Sequence, residues 1–500
     1  MKHDKRKRIM ILRPRAEKRR AGPFSVLRPY AAAGLRRPRF RGLLAFSFKY
    51  DILSNSFRRV NGERDYTAFG ISKGLIFMTD NKRPHIVVVG AGFGGVKVAQ
   101  KLAKLPVDVT IIDRNNFHVF QPLLYQLSTS ELDENEIAYP IRAFFRNTKN
   151  VRFFMAHAED FDAENRKLIT DQGEVPYDYL VLAAGAMTNF FGMENVAKHS
   201  FGMKTLQEAV AIRNHVLRMF ERATKCDDEA ERRRMLTFVC VGGGPTGVEC
   251  AGALSELIYG VMAHEYHDLD FSETKVVLVE AMDHVLAMMP EELRAETARV
   301  LRDIRKVDVR VSTQVMDYDG EELKFKDGTS IPTKTVIWAA GVKAVSFVKN
   351  LGAETDRAGR VVVEKTLQVK GFPEIFAIGD CANFVQDGRP LATVAPVATQ
   401  QAVTCVENIK RLLKDPAAKL AEFTYKDVGA MATICRGHAV VAMDNMKMRG
   451  FFAWVAWMVV HLMRLAGTYT NMTVAYKWFW NFLFGLRLGR VISDTKMQDV

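Results

Sequence analysis

Cysteine is scarce in this chain and poorly placed for a framework. The six cysteines, Cys226, Cys240, Cys250, Cys381, Cys405 and Cys435, include no C-x-x-C pair, and none precedes Cys226. That excludes a disulfide scaffold of the secreted kind and leaves a zinc site without ligand spacing, so reduced thiols are the expectation. No apolar run is long enough to cross a bilayer. FFAWVAWMVVHLM at 451–463 has thirteen residues, which rise about 20 Å as a helix against a hydrocarbon core of about 30 Å. Acidic residues are nearly missing from the first 77 positions, which hold 20 Lys/Arg and 5 Asp/Glu. Because the whole chain carries +14, the remainder lies within about one charge of neutrality. The basic character belongs to a tail, which argues against a nucleic-acid partner.

The tail shows no helical or strand period, and a basic, core-poor segment is expected to be disordered. It also lacks the serine enrichment of a transit peptide. A transit peptide, a nucleic-acid arm and an extension without function are the three readings of it. Met78 stands seven residues before the first strand, where a compact enzyme would begin, so residues 1–77 are expected to lie outside the fold.

What the chain does contain is one plan, twice. HIVVVGAGFGG opens the first copy at His85, and LTFVCVGGGPTG opens the second at Leu236. Each is an apolar strand running into G-x-G-x-x-G and then a helical pattern. Each continues to a second strand ending in an acid, Asp113 in VTIID and Glu280 in VVLVE. Each closes on a charged hairpin, a proline and a strand into Ala-Gly, at Gly185 and Gly341. A lone glycine motif is weak evidence, but the same motif recurring in a matched context is strong.

The spacing follows from chemistry. Gly90 and Gly242 make the tight turn, Gly92 and Gly244 let backbone approach a pyrophosphate, and Gly95 and Gly247 let the helix pack on the strand. The phosphates then meet the free N–H groups and positive dipole end of the helix. Each acid would accept a hydrogen bond from an adenosine ribose, and an acid there favours NADH over NADPH. Gly90 precedes Asp113 by 23 residues and Gly242 precedes Glu280 by 38, so the second crossover carries an insertion near 258–273. Two such units imply two dinucleotides, one tightly held flavin and one exchangeable nicotinamide. A further buried strand, EIFAIGD, ends at Gly379-Asp380.

With these residues in hand, positions 83–490 resemble the type II NADH:quinone oxidoreductases, single-subunit flavoproteins that do not pump protons. GAGFGG at 90–95, RNNFHVFQPLLYQ at 114–126, VGGGPTGVE at 241–249, WAAGV at 338–342, FAIGD at 376–380 and APVATQQA at 395–402 carry the likeness. The resemblance implies that Gly90, Gly92, Gly95, Asp113, Gln121, Gly185, Gly379 and Asp380 serve FAD, and that Gly242, Gly244, Gly247, Glu280 and Gly341 serve NADH. It places Glu249 between nicotinamide and flavin, and Gln400 and Gln401 near the flavin ring and the quinone entrance. Two positions depart from the pattern: Pro396 stands where many relatives have Gln, and Val428, near Lys426, stands where some have Lys.

The implied fold class is α/β, with two Rossmann-like dinucleotide-binding domains and a C-terminal amphipathic membrane-binding helical region. The boundaries are 82–233 and 343–440 for the FAD domain, 234–342 for the inserted NADH domain, and 441–500 for a membrane anchor. Val474–Leu486 would set Lys477 and Asn481 on one helix face and Trp478, Phe479, Phe482 and Leu483 on the other, as interfacial helices do. A core or homodimer contact is the rival reading of this stretch. The partners implied are a membrane quinone and a bilayer surface. The expected location is monotopic on the cytoplasmic face of the bacterial inner membrane, with the mitochondrial inner membrane as alternative. Disulfide and sulfide:quinone reductases of this group use paired cysteines that the chain lacks. A ferredoxin-type acceptor and a flavin-bound redox sensor stand as rivals to quinone reduction. A lone His118 reads more readily as a structural residue than as a proton donor, and Cys381 as an inert small residue.

Overall fold

The structure, a computed structural model, describes residues 83–493 apart from positions 445 and 486. The basic tail at 1–77 falls outside the described residues.

Two parallel sheets form the frame. The first runs Val151–Met155, Asp108–Asp113, His85–Val89, Tyr179–Leu182 and Phe372–Ala377, with Gln368–Val369 antiparallel at its far edge. Its central strands His85–Val89 and Tyr179–Leu182 are apolar runs because both faces of the sheet are covered, and Leu168 and Val175 of an antiparallel meander share its core. Helix Phe93–Leu102 packs along Ala395–Lys414 there, with a Cβ on Gly94 falling 3.5 Å from Ala398 O and 3.0 Å from the Ile378 side chain. The second sheet runs Phe201–Gly202, Thr335–Trp338, Thr237–Val241, Lys275–Val279 and Val307–Arg310, all parallel. Phe201–Gly202 lies within the 82–233 segment but pairs with Thr335–Trp338, so the chain enters the second sheet before position 233.

The repeat extends to the hairpins. Ala158–Asp162, Lys167–Thr170 and Gly173–Pro176 form one antiparallel meander, and Val315–Tyr318, Glu322–Phe325 and Ser330–Pro332 form its counterpart. The two arms that leave the Ala-Gly ends, Ala186–Thr188 and Val342–Ala344, pair with each other. In the second unit the crossover helix, Pro245–Gly260, is longer than its first-unit counterpart and is followed by the turn Met262–His264.

A third layer follows. Strands Ala430–Cys435, His438–Met443 and Met446–Gly450 lie against helix Pro245–Gly260. The approach depends on Gly252, where a Cβ would fall 1.7 Å from Ile434 O. Helices Phe451–Arg464 and Thr468–Phe484 complete this layer, burying Ala453, Trp457, Val474 and Trp478 in the core that contains Leu254 and Phe238.

The structure keeps Lys477 and Asn481 on one face of the second helix and moves Trp478 from the apolar set to join them. Lys477 turns inward, its Nζ 2.6 Å from Asp133 Oδ2 and 2.9 Å from Glu136 Oε2. Asn481 Nδ2 donates to Glu131 Oε1 at 2.9 Å, and Trp478 Nε1 donates to Gln126 Oε1 at 2.8 Å. Phe479, Phe482 and Leu483 face outward together, and Tyr476 and Phe484 of this helix are exposed too. The covered carboxylates of Glu131 and Glu136 need partners more than the polar residues of the helix need water, and this sets the rotation. The chain then doubles back: Arg487, 2% exposed, donates to Thr129 O at 2.9 Å and to Glu256 Oε2 at 2.7 Å. The C-terminal region is therefore built into the core on one side while Phe479, Phe482 and Leu483 remain exposed on the other.

Candidate functional site

At the first glycine loop three glycines do three different things. Gly90 sits at φ 100°, and a Cβ on it would lie 2.3 Å from Ala183 O. Gly95 brings the helix against the strand, since a Cβ there would fall 1.8 Å from Gly90 O. Gly92, the N-cap of the helix, has nothing within 4 Å of its Cβ position. Open space in front of free helix N–H groups fits a diphosphate. Asp113 braces this loop, accepting the N–H of Ala91 at 2.8 Å and of Asn115 at 2.8 Å. Burial raises its carboxyl pKa, and these two N–H groups pull it back down.

The second loop repeats the arrangement. Gly242 sits at φ 114° against Ala339, a Cβ on Gly247 would fall 1.8 Å from Gly242 O, and Gly244 again faces open space. Pro245 begins the helix, where its missing N–H is not needed. Glu280 accepts the N–H of Gly243 at 2.5 Å and of Met282 at 2.8 Å, the same double brace as Asp113. Gly341 has a local reason to be glycine: a Cβ would meet the Phe191 ring at 2.8 Å. Gly185, at φ 74°, lies in open space at the matching end of the first unit.

The two units meet near Gly379 and Asp380. Gln401 is buried, and its Oε1 accepts the Gly379 N–H at 2.7 Å, fixing that turn. Gln400 is committed elsewhere, exchanging hydrogen bonds with the Lys426 backbone at 2.9 and 3.1 Å. Gln121 is exposed at the start of the turn Gln121–Leu123. Beside it Phe120 packs edge-on against Phe93 and His461. His118 is structural: buried, with Nδ1 2.8 Å from Ala91 O and its ring edge-on to Phe93, it fastens this loop to the first glycine turn. Cys381 is buried, with Sγ 3.4 Å from Leu182 O, and burial pushes its thiol up to about 11. Pro396 opens helix Ala395–Lys414, and Val428 is exposed.

Glu249 lies on the buried side of helix Pro245–Gly260, accepting the Thr433 N–H at 3.2 Å. Burial pushes its carboxyl up to about 8, against smaller opposing pulls from Thr433 and the Trp457 indole. A carboxyl protonated to higher pH in the folded chain takes up a proton on folding. Its contribution to stability is complete below 4.5 and is lost as pH rises to about 8. Glu249→Gln is expected to flatten the fall of Tm across that window, a difference on the order of a few kcal/mol. A Tm–pH curve superimposable on that of the parent would refute it.

Sequence reasoning missed Lys204, whose Nζ lies 3.0 Å from Asp380 Oδ2, and the Thr433 and Trp457 neighbours of Glu249. One local signal was legible beside Lys204: Thr205 and Glu208 form a capping box that starts helix Leu206–Ala223.

Comparison with known proteins agrees with this geometry. A family model described as pyridine nucleotide-disulphide oxidoreductase matches residues 84–402. A type II NADH:quinone oxidoreductase of Mycobacterium tuberculosis is 38% identical over 430 residues, covering 83% of this chain and 90% of its own. The chain belongs to the type II NADH:quinone oxidoreductases. The Staphylococcus aureus member is 30% identical over 369 residues, covering 70% of this chain and 88% of its own. Among solved structures, NDH2 of Plasmodium falciparum in complex with NADH matches with a TM-score of 0.74 at 20% identity, covering 83% of this chain and 100% of that one. That likeness speaks for the fold. As a type II NADH:quinone oxidoreductase, the protein uses FAD and NADH, oxidising NADH and reducing a quinone.

Proposed function

We propose that FAD lies on the first glycine loop and NADH on the second. The observation that carries the assignment is asymmetry between otherwise matched units. The first sheet alone gains the strand Phe372–Ala377, which delivers Gly379 and Asp380 to its ligand end; the second gains Phe201–Gly202 instead. A tightly held cofactor needs the extra contacts and an exchangeable one does not. Asp113 and Glu280 then hold the two adenosine riboses while keeping their loops braced. Gln401 holds the Gly379 turn, and Glu249 supplies a protonatable carboxyl shielded from bulk water. FAD held by Gly90, Gly92, Gly95, Asp113, Gly379 and Asp380 would supply the two-electron chemistry that links NADH oxidation to quinone reduction.

The quinone is a membrane quinone, and the enzyme docks on the lipid surface as a monotopic protein. Phe452, Met463, Tyr469 and Met472 are exposed on the two C-terminal helices, the second and third at 81% and 83%. Among the described residues no helix is long and apolar enough to cross a membrane. Exposed apolar and aromatic residues on two successive helices suit the interfacial layer. The face of the membrane is the cytoplasmic one of a bacterial inner membrane.

Replacing those four residues by serine is expected to abolish flotation with anionic vesicles. Turnover with a long-chain quinone should fall roughly tenfold or more, the order of affinity lost with about 1.4 kcal/mol, while turnover with a short soluble quinone persists. Unchanged flotation would locate docking elsewhere. A parent dimer that becomes monomeric, with flotation retained, would instead assign the surface to a second copy.

A further inference from the structure

Lys204 reaches Asp380 across the seam between the two dinucleotide units. The pair is 3.0 Å apart, with side chains 16% and 15% exposed. Lys204 follows Phe201–Gly202, a strand of the second sheet, whereas Asp380 lies in the turn that follows Phe372–Ala377, a strand of the first. Its backbone is fixed from below, because Glu208 Oε2 accepts the N–H of both Lys204 and Thr205 at 2.8 Å. The lysine is thus placed by a helix start rather than left to wander, as exposed lysines do at small energetic gain.

A covered ion pair has to offset the desolvation of both groups, so stability alone explains it poorly. Charge at the site offers a better reason. An unpaired carboxylate at position 380 would oppose the arrival of electrons on a neighbouring flavin, because like charges repel strongly where water is excluded. We infer that Lys204 is a positioning residue of the flavin site, holding Asp380 in place and compensating its charge so that the flavin stays reducible by NADH. This rests on the placement of FAD beside Asp380 given above.

The test is a spectroelectrochemical titration of the holoenzyme. At the potential where the parent flavin is half reduced, Lys204→Met is expected to lower the ratio of reduced to oxidised flavin about tenfold, equivalent to about 30 mV for a two-electron couple. Lys204→Arg should keep the ratio within about threefold, since the guanidinium retains the charge. Asp380→Asn should shift the ratio in the opposite direction, leaving the lysine uncompensated. If Lys204 serves only to tie the units together, Lys204→Met lowers Tm while the potential stays put, which overturns the inference. Should Lys204→Met fail to fold, Lys204→Arg and Asp380→Asn decide it alone: the inference falls if Asp380→Asn leaves the potential unchanged while reducing FAD occupancy. If Asp380→Asn changes neither FAD occupancy nor potential, the placement of FAD itself is wrong, a separate failure.

Discussion

A chain ending at Gly450 is expected to be recovered aggregated or degraded and without flavin, not as a soluble enzyme released from its membrane. The two helices beyond that point bury Ala453, Trp457, Val474 and Trp478, with Trp457 1% exposed. Truncating one large buried aromatic costs about 3–5 kcal/mol, and a typical domain has about 5–15 kcal/mol in total. Losing two tryptophans, a valine and the Arg487 clamp together exceeds that margin. The loss also leaves Gln126, Glu131 and Glu136 without the Trp478, Asn481 and Lys477 groups that satisfy them. Gel filtration with flavin absorbance read on the eluted peak checks this. A monodisperse yellow peak from the truncated chain would show the C-terminal layer to be dispensable.

Gly95→Ala and Gly247→Ala should separate the two cofactors. Each new methyl would sit 1.8 Å from a carbonyl oxygen, that of Gly90 or Gly242. The helix must retreat from its strand by more than about 1 Å, carrying its N–H groups away from the diphosphate, and misplacement on that scale costs roughly a hundredfold. Gly95→Ala is expected to purify colourless. Gly247→Ala is expected to stay yellow while its KM for NADH rises roughly a hundredfold. Yellow protein from both variants with unaltered KM would mean that neither loop carries a dinucleotide as described.

Both glycine loops can be read directly because their requirements are local. A turn, an approach and a packing contact fall within six residues, and the bracing acid ends the next strand. The matched hairpins are legible for the same reason. Three features are not. Phe201–Gly202 is a two-residue strand with no pattern of its own, and only its pairing with Thr335–Trp338 places it. Lys204 meets a partner 176 positions away. The face of helix Thr468–Phe484 that meets protein is set by carboxylates that draw Lys477 inward from 344 and 341 positions earlier. Amphipathic pattern tells which residues share a face; it does not tell which face meets protein. Gln400 shows the same limit, its amide exchanging hydrogen bonds with the Lys426 backbone 26 positions away.

The inward turn of the C-terminal helices also bears on synthesis. Residues beyond Gly450 leave the ribosome after everything they pack against, including the segment around Gln126 and helix Pro245–Gly260. Domains ordinarily fold as they emerge, but here the second core must wait, with the Trp457 and Trp478 pockets open to water until translation has passed them. The apolar outer face of those helices is made in the same interval. A nascent chain therefore has no stage at which it is closed yet lacks that face, and none at which it can display the face for long without closing.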